Sequence, residues 1–216
     1  NYHKRQKIKK EKEVYEAKID FFTNVAHEIR TPLTLIKGPV ENLSEMVAGL
    51  PQIKYDVVTM ERNTNRLMAL VNQILDFRQT EARGFSLDFT KVNITTLLQE
   101  VYENFEPLAR KKKLQYDIQL PPVAIHAMAD EDALQKIFSN LFSNAVKYAE
   151  KKVAVELHPV KKDDTLLRIE ISNDGPLIPA AMTERIFEPF FRLKETTKQK
   201  GTGIGLSLAR SLVQLH

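Results

Sequence analysis

The sequence contains no cysteine among its 216 residues. Disulfides, thiolate metal sites and thiol nucleophiles are therefore excluded together, which suits a reducing compartment. Glycine and proline are also scarce, at 7 and 10 residues. Within the first eighty residues they fall only around Pro32, Gly38-Pro39 and Gly49-Leu50-Pro51, so long helices are expected there. Charge of one sign is nearly absent as an excess: 32 Lys+Arg against 28 Asp+Glu leave +4, too little to argue for nucleic acid. No apolar run approaches the roughly 18 residues of a membrane span, and no secretory leader is evident, so these residues are expected to be soluble. What is present, 43% hydrophobic and 28% charged residues, is the composition of an ordinary folded chain. The length allows one domain or two small ones.

From Phe22 the apolar positions run Phe22, Ala26, Ile29, Leu33, Ile36, Val40, Leu43, Val47, Leu50. Steps of four and three make the seam of a packed or supercoiled helix. A turn at Gly49-Leu50-Pro51 should end it, and a second helix near Lys54 to Arg83, with Val57, Met60, Leu67, Val71, Ile74 and Phe77, should return antiparallel. One hairpin leaves an apolar stripe without a partner, so the economical solution is a four-helix bundle made by two chains. Upstream, Lys4, Arg5, Lys7, Lys9 and Lys10 form a basic cluster. It reads either as a solvated helix end or as a juxtamembrane segment following a span outside these residues.

After Gly84 the pattern alternates. Asn93 can cap a helix to about Lys112, short strands are expected at Leu114 to Ile118 and Ile125 to Ala129, and a strong helix at Asp130 to Ala149. Val153 to His158 and Leu166 to Ser172 read as strands joined by the polar turn Lys161-Lys162-Asp163-Asp164. A short helix follows around Met182 to Phe187, then a polar stretch, then a helix opening at Gly201-Thr-Gly-Ile-Gly205. That is an α/β layer domain.

Several segments carry chemistry. His27 lies about 140° round from the Phe22 seam at about 100° per residue, so it points to solvent as an accessible nucleophile. Glu28 beside it can accept its proton, Thr31 shares its face and can hold a water, and Pro32 should bend the helix by removing one donor. Taken alone, such a histidine is an ordinary surface residue. Asn140, Asn144 and Lys147 share one face of their helix, while Ile137, Leu141 and Ala145 can face the core. Amide oxygens suit a hard cation and an ammonium suits phosphate, although a plain polar helix face has the same look. Asn173-Asp174-Gly175-Pro176 ends a strand in a turn where a flat ligand can approach the backbone. Gly201, Gly203 and Gly205 free backbone N–H groups at a helix N-terminus, without the ending of a P-loop. Phe187, Phe190 and Phe191 are either a hydrophobic latch or simple packing.

The order of these segments is what decides between readings. An exposed His on a helical hairpin, an Asn-rich helix, an Asn-Asp-Gly turn, a Phe-Pro-Phe-Phe segment and a Gly-x-Gly-x-Gly turn together resemble the H, N, G1, F and G2 boxes of the sensor histidine kinases. The match runs from Phe22 to His216. Arg62-Asn-Thr-Asn-Arg66 and Phe77-Arg-Gln-Thr-Glu81 further resemble the hybrid two-component sensors of Bacteroides-type gut bacteria.

The resemblance implies a multidomain protein of α and α+β parts. Residues 1–20 would be a juxtamembrane signalling helix, 21–83 a dimerisation and phosphoacceptor hairpin, and 84–216 an α/β sandwich ATP-binding domain shared with Hsp90, gyrase and MutL. It also implies strands continuing beyond His216. His27 would be the phosphoacceptor, Glu28 its base, and Thr31 would hold the water for dephosphorylating a response regulator. Asn144 would hold Mg²⁺, Asn140 and Lys147 the ATP phosphates, and Tyr148, Asn173, Asp174 and Gly175 the adenine side. Gly201, Gly203 and Gly205 would flank the phosphates, with residues 190–200 over them. The implied partners are a second copy of the chain and a receiver domain, in the cytoplasmic portion of an inner-membrane sensor, with membrane contact only through an upstream segment and none with nucleic acid. Two positions depart from the family: Asn173 stands where an Asp usually accepts from the adenine amino group, and Leu177 replaces a Gly. Related ATPases that only hydrolyse carry a carboxylate at the place of Asn140. A scaffold that binds nucleotide without transferring it is the non-enzymatic alternative.

Overall fold

A computed structural model of the chain describes residues 19, 22–23, 26–27, 29–43, 51–81, 86–159, 166–193 and 201–216. Outside them lie Glu28, the basic cluster, the Gly49-Leu50 turn, the Lys161 to Asp164 turn and residues 194–200. The chain divides into two compact units, Asn1–Arg83 and Gly84–His216.

In the first unit, helix α1 is described over residues 29–43 and passes Pro32 without interruption. Helix α2 spans Pro51–Glu81 and opens on its proline, where a missing N–H costs nothing. The single seam expected from the sequence resolves into two rows. Ile19, Ala26, Leu33 and Val40 are buried seven residues apart, and so are Val57, Thr64 and Val71 on α2. Val40 packs on Val57, and Ala26 and Leu33 on Val71 and Leu75, which fixes the antiparallel register. The alternate row stays at the surface, with Ile29 at 40%, Ile36 at 47% and Leu43 at 45% exposure on α1, and Ile53, Met60 and Leu67 on α2. Each hairpin therefore satisfies half of its apolar pattern by itself.

The second unit begins with β1, Thr90–Asn93, which the sequence reading missed. It pairs antiparallel with β3, His126–Ala129. Between them, Asn93 Oδ1 accepts from the Thr96 N–H to cap α3, Ile94–Lys111, and β2 covers Gln115–Gln119. Helix α4 spans Glu131–Tyr148, followed by β4, Lys152–Leu157, and β5, Ile169–Asn173. The sheet order is β2-β4-β5, parallel then antiparallel. Val153, Val155 and Leu157 alternate along β4 onto the face covered by helices, where Ala109, Ala145, Val146 and Ala149 meet Val153. Tyr102 of α3 and Tyr116 of β2 stack with centroids 4.3 Å apart, and each hydroxyl donates to the other's carbonyl. Desolvation pushes the pKa of both hydroxyls up, so both donors stay protonated. Two short 3-10 turns, Ala180–Met182 and Arg185–Phe187, stand where one short helix was expected, before α5, Gly205–Leu215.

Asp130 is the N-cap of α4, accepting from the N–H groups of Ala133 and Asp88, each at 2.9 Å. The Ala133 bond leads in holding its carboxyl below the usual range. Because the folded pKa is the lower one, this stabilisation is complete above the ordinary carboxylate value and disappears as pH falls through the folded value. Asp130→Ala should cost about 1 kcal/mol at neutral pH. Urea midpoints at pH 7 and pH 3 test this: the difference between wild type and variant should shrink at the lower pH, and a difference independent of pH would remove Asp130 as its source.

Candidate functional site

Helix α4 buries Ala133, Ile137, Phe138, Phe142, Ala145 and Val146. Leu141, expected in that row, is only half-buried, and Phe142 takes the centre instead. Asn140, Asn144 and Lys147 remain half-buried on the other side. Asn140 Nδ2 donates to the Lys136 carbonyl at 2.8 Å, one turn back. Its Oδ1 lies so close to the start of α5 that a Cβ on Gly205 would stand 2.6 Å from it. A Cβ on Gly201 would stand 2.8 Å from the Lys147 ammonium, which donates to the Tyr148 hydroxyl at 2.9 Å. Glycine at both positions keeps the α5 approach clear of side chain beside these groups.

The N-cap position of α5 is Ile204, whose side chain makes no cap bond; among the described residues the Thr202 hydroxyl accepts the Ile204 N–H at 3.4 Å. The first amides of α5 carry the positive end of the helix dipole and face the edge of α4 that bears Asn140. The amides at the start of α5 and the Lys147 ammonium beside Gly201 form a donor set that fits a phosphate chain, with Asn140 turning its Oδ1 toward Gly205. Gly203, at φ +77°, is in the left-handed region, and a Cβ there would meet the backbone of Phe190 and Phe191. Phe190 itself has φ +65°, and its N–H donates to the Gly203 carbonyl at 2.9 Å. Arg185 lies over the Phe191 ring at 4.5 Å and Arg210 over the Phe187 ring at 5.1 Å. The Phe-rich segment is thus half-buried and held by cations rather than by a closed apolar core.

At the end of β5, Asn173 Oδ1 accepts the Gly175 N–H at 2.9 Å. Gly175 lies against the Tyr148 carbonyl, so the turn and the end of α4 touch backbone to backbone. Asp174 turns its carboxylate the other way: Oδ1 accepts from Glu150, Lys151 and Lys152 N–H groups at 3.0, 3.0 and 2.9 Å. The Lys151 and Lys152 amides are the main reason its pKa is depressed. Lys112, at the C-cap of α3, donates from Nζ to the Val146 and Lys147 carbonyls at 2.7 and 2.8 Å. Sequence reasoning missed Lys112 altogether. In Lys111-Lys112-Lys113 nothing local distinguishes the middle ammonium.

In the other unit His27 is exposed, as expected, and so is Thr31. Three residues on from His27, Arg30 Nη2 donates to Asn72 Oδ1 on α2 at 2.7 Å, linking the two helices.

Two families match in succession. Residues 17–83 match the His Kinase A (phospho-acceptor) domain, and residues 129–216 match the histidine kinase-, DNA gyrase B-, and HSP90-like ATPase. The chain belongs to the sensor histidine kinases. Histidine kinase P4 of Formosa agariphila is 32% identical over 94% of this chain, which spans only 15% of that relative's length. Among solved structures, full-length ShkA in complex with AMPPNP superposes with a TM-score of 0.71 at 28% identity, over 91% of this chain and 41% of that one. The catalytic domain of histidine kinase ThkA gives 0.53 at 31% identity, over 59% of this chain and 81% of that one. ThkA in complex with response regulator protein TrrA gives 0.57 at 27% identity, over 89% and 53%. The two matches fall one in each unit, 17–83 in Asn1–Arg83 and 129–216 in Gly84–His216.

Proposed function

We propose that the chain is a kinase core that transfers the γ-phosphoryl group of ATP to an imidazole nitrogen of His27. ADP leaves, Glu28 takes the imidazole proton, and the phosphoryl group then passes to an aspartate of a receiver domain. The observation that carries the nucleotide half is the glycine cradle, with Gly201 against Lys147, Gly205 against Asn140, and the first α5 amides beside them. Phosphoryl transfer needs mostly positioning and charge neutralisation, which this donor set supplies. Lys147 and Asn140 bind phosphate oxygens, Gly201, Gly203 and Gly205 let the phosphates reach the backbone, and Tyr148, Asn173 and Gly175 border the adenine. Among the described residues no group of three His, Asp or Glu side chains can hold a metal. The resemblance to the family assigns Mg²⁺ to the Asn144 amide oxygen together with the phosphates, the hard-donor chemistry it takes. When bound, it offsets the charge on the transferring group.

A receiver partner is supported by the ThkA complex with TrrA, and Thr31, exposed on the face of His27, is assigned the water that hydrolyses the receiver's aspartyl phosphate to inorganic phosphate. The exposed apolar rows of α1 and α2 support a second copy completing a four-helix bundle. Sedimentation equilibrium should then give a two-chain mass that Ile36→Asp with Leu67→Asp reduces to one; a one-chain mass for the unaltered protein rejects the bundle. Among the described residues no helix is long and apolar enough to cross a membrane. We assign this core to the cytoplasmic side of an inner-membrane sensor, reached through its upstream segment.

The deciding experiment is incubation with γ-labelled ATP and Mg²⁺ beside His27→Gln. Label that is acid-labile, base-stable and lost to background in the variant is expected. Label that survives in His27→Gln names a different acceptor, and nucleotide binding without any label favours the scaffold.

A further inference from the structure

The last turn of α4 is gripped from two sides by groups that no phosphate or adenine contact requires. On one side the Lys112 ammonium bonds the carbonyls of Val146 and Lys147, two of the acceptors that a helix C-terminus leaves unpaired. On the other, the Asp174 carboxylate gathers the three consecutive N–H groups of Glu150, Lys151 and Lys152 in the turn out of the helix. The Asp174 N–H also donates to the Lys152 carbonyl at 3.2 Å. A cation sits on carbonyls and an anion on amides, so both charges agree with the local dipoles. The bonds join places far apart in the chain, 34 and 35 residues for Lys112 and 22 to 24 for Asp174. Lys147 carries one of the gripped carbonyls, only Tyr148 and Ala149 lie between the two grips, and the turn that delivers Asp174 also carries Asn173 and Gly175.

We propose that Lys112 and Asp174 are positioning residues of the nucleotide site, setting the direction of Lys147 and its distance from the Asn173-Gly175 turn. This rests on the nucleotide reading above. The Lys112 ammonium bonds main-chain carbonyls and acts through Lys147. Asp174, implied as an adenine-side contact by the family pattern, spends its carboxylate on the main chain and acts through the α4 end.

The test is the dissociation constant of ATP with Mg²⁺ on the full chain, read by calorimetry at a temperature where circular dichroism shows each variant folded. Lys112→Met and Asp174→Asn should each weaken ATP binding by about tenfold, the scale of a hydrogen bond to a charged group. Lys112→Arg, which keeps a cation in reach of the carbonyls, should recover most of the loss. Lys111→Met, one residue away and exposed, should bind as wild type. The decisive readout is a cycle with Lys147→Met: if Lys112 acts through Lys147, Lys112→Met should add little in that background. Unchanged affinity in Lys112→Met and Asp174→Asn, or an equal loss for Lys112→Met with and without Lys147, overturns the proposal while leaving nucleotide binding intact. Failure of the unaltered chain to bind ATP overturns the nucleotide reading and this proposal with it.

Discussion

Phe142→Ala should lower the unfolding free energy of the Gly84–His216 unit by about 3–5 kcal/mol, the range for a phenylalanine removed from a core. Phe142 is fully buried at the middle of α4, with the Phe105 ring of α3 stacked at 6.0 Å between centroids. Truncation removes the transfer energy of the ring and leaves a cavity between two helices. Collapse into it is resisted because α3 is tied to β2 by the paired tyrosines and the segment leaving α4 is tied to the end of β5 by Asp174. A domain with a stability of about 5–15 kcal/mol would lose a large part of it. Differential scanning calorimetry, which separates the transitions of the two units, should show the α/β transition falling while the hairpin transition stays. A shift worth under about 1 kcal/mol would mean that the α3–α4 interface collapses around the gap and that the core is softer than its packing suggests.

Gly175→Ala should reduce ATP affinity by at least about tenfold and cost about 1–3 kcal/mol, as overpacking does. The added methyl would press on the Tyr148 carbonyl oxygen and stand 2.7 Å from Asn173 Oδ1. The first obstacle is backbone at the end of a clasped helix, so relief requires moving Tyr148 or opening the Asn173 turn. Leu177 provides the contrast. It stands where the family usually has a second glycine, yet its side chain is 95% exposed, so Leu177→Gly should leave affinity within about twofold. Calorimetric titration of both variants separates the cases; equal effects would show that the turn tolerates a side chain at 175 and that glycine there is not sterically required.

Much of this was legible in the sequence because it depends on local pattern. The long helices, the Asn93 cap, and the strands β2 to β5 follow from periodicity and punctuation, whereas Asp130, expected as the first residue of its helix, is instead its cap. Strand β1 escaped notice because it has four residues and buries only Val92, leaving no alternation to read. The two rows of the hairpin were seen as one seam, since spacing shows that Ile29 and Leu33 share a side of the helix but not which neighbour each meets. His27 and the face of Asn140, Asn144 and Lys147 could be found from helical phase. Lys112 and the turning away of Asp174 could not, because both are side-chain bonds to main chain more than twenty residues distant, and no local signal encodes such a partner.

The bond from the Phe190 N–H to the Gly203 carbonyl, with left-handed backbone at both residues, has a consequence for evolution. It fastens together the two ends of whatever chain runs from 191 to 202. Once the ends are joined, the entropy of the intervening loop grows only logarithmically with its length, and doubling it costs about 0.6 kcal/mol. Insertions, deletions and changes of charge between Leu193 and Gly201 are therefore cheap for the fold, whereas changes at Phe191, Gly201 and the two anchoring positions are not. Relatives can diversify this stretch in length and composition while the glycine cradle behind it stays where it is.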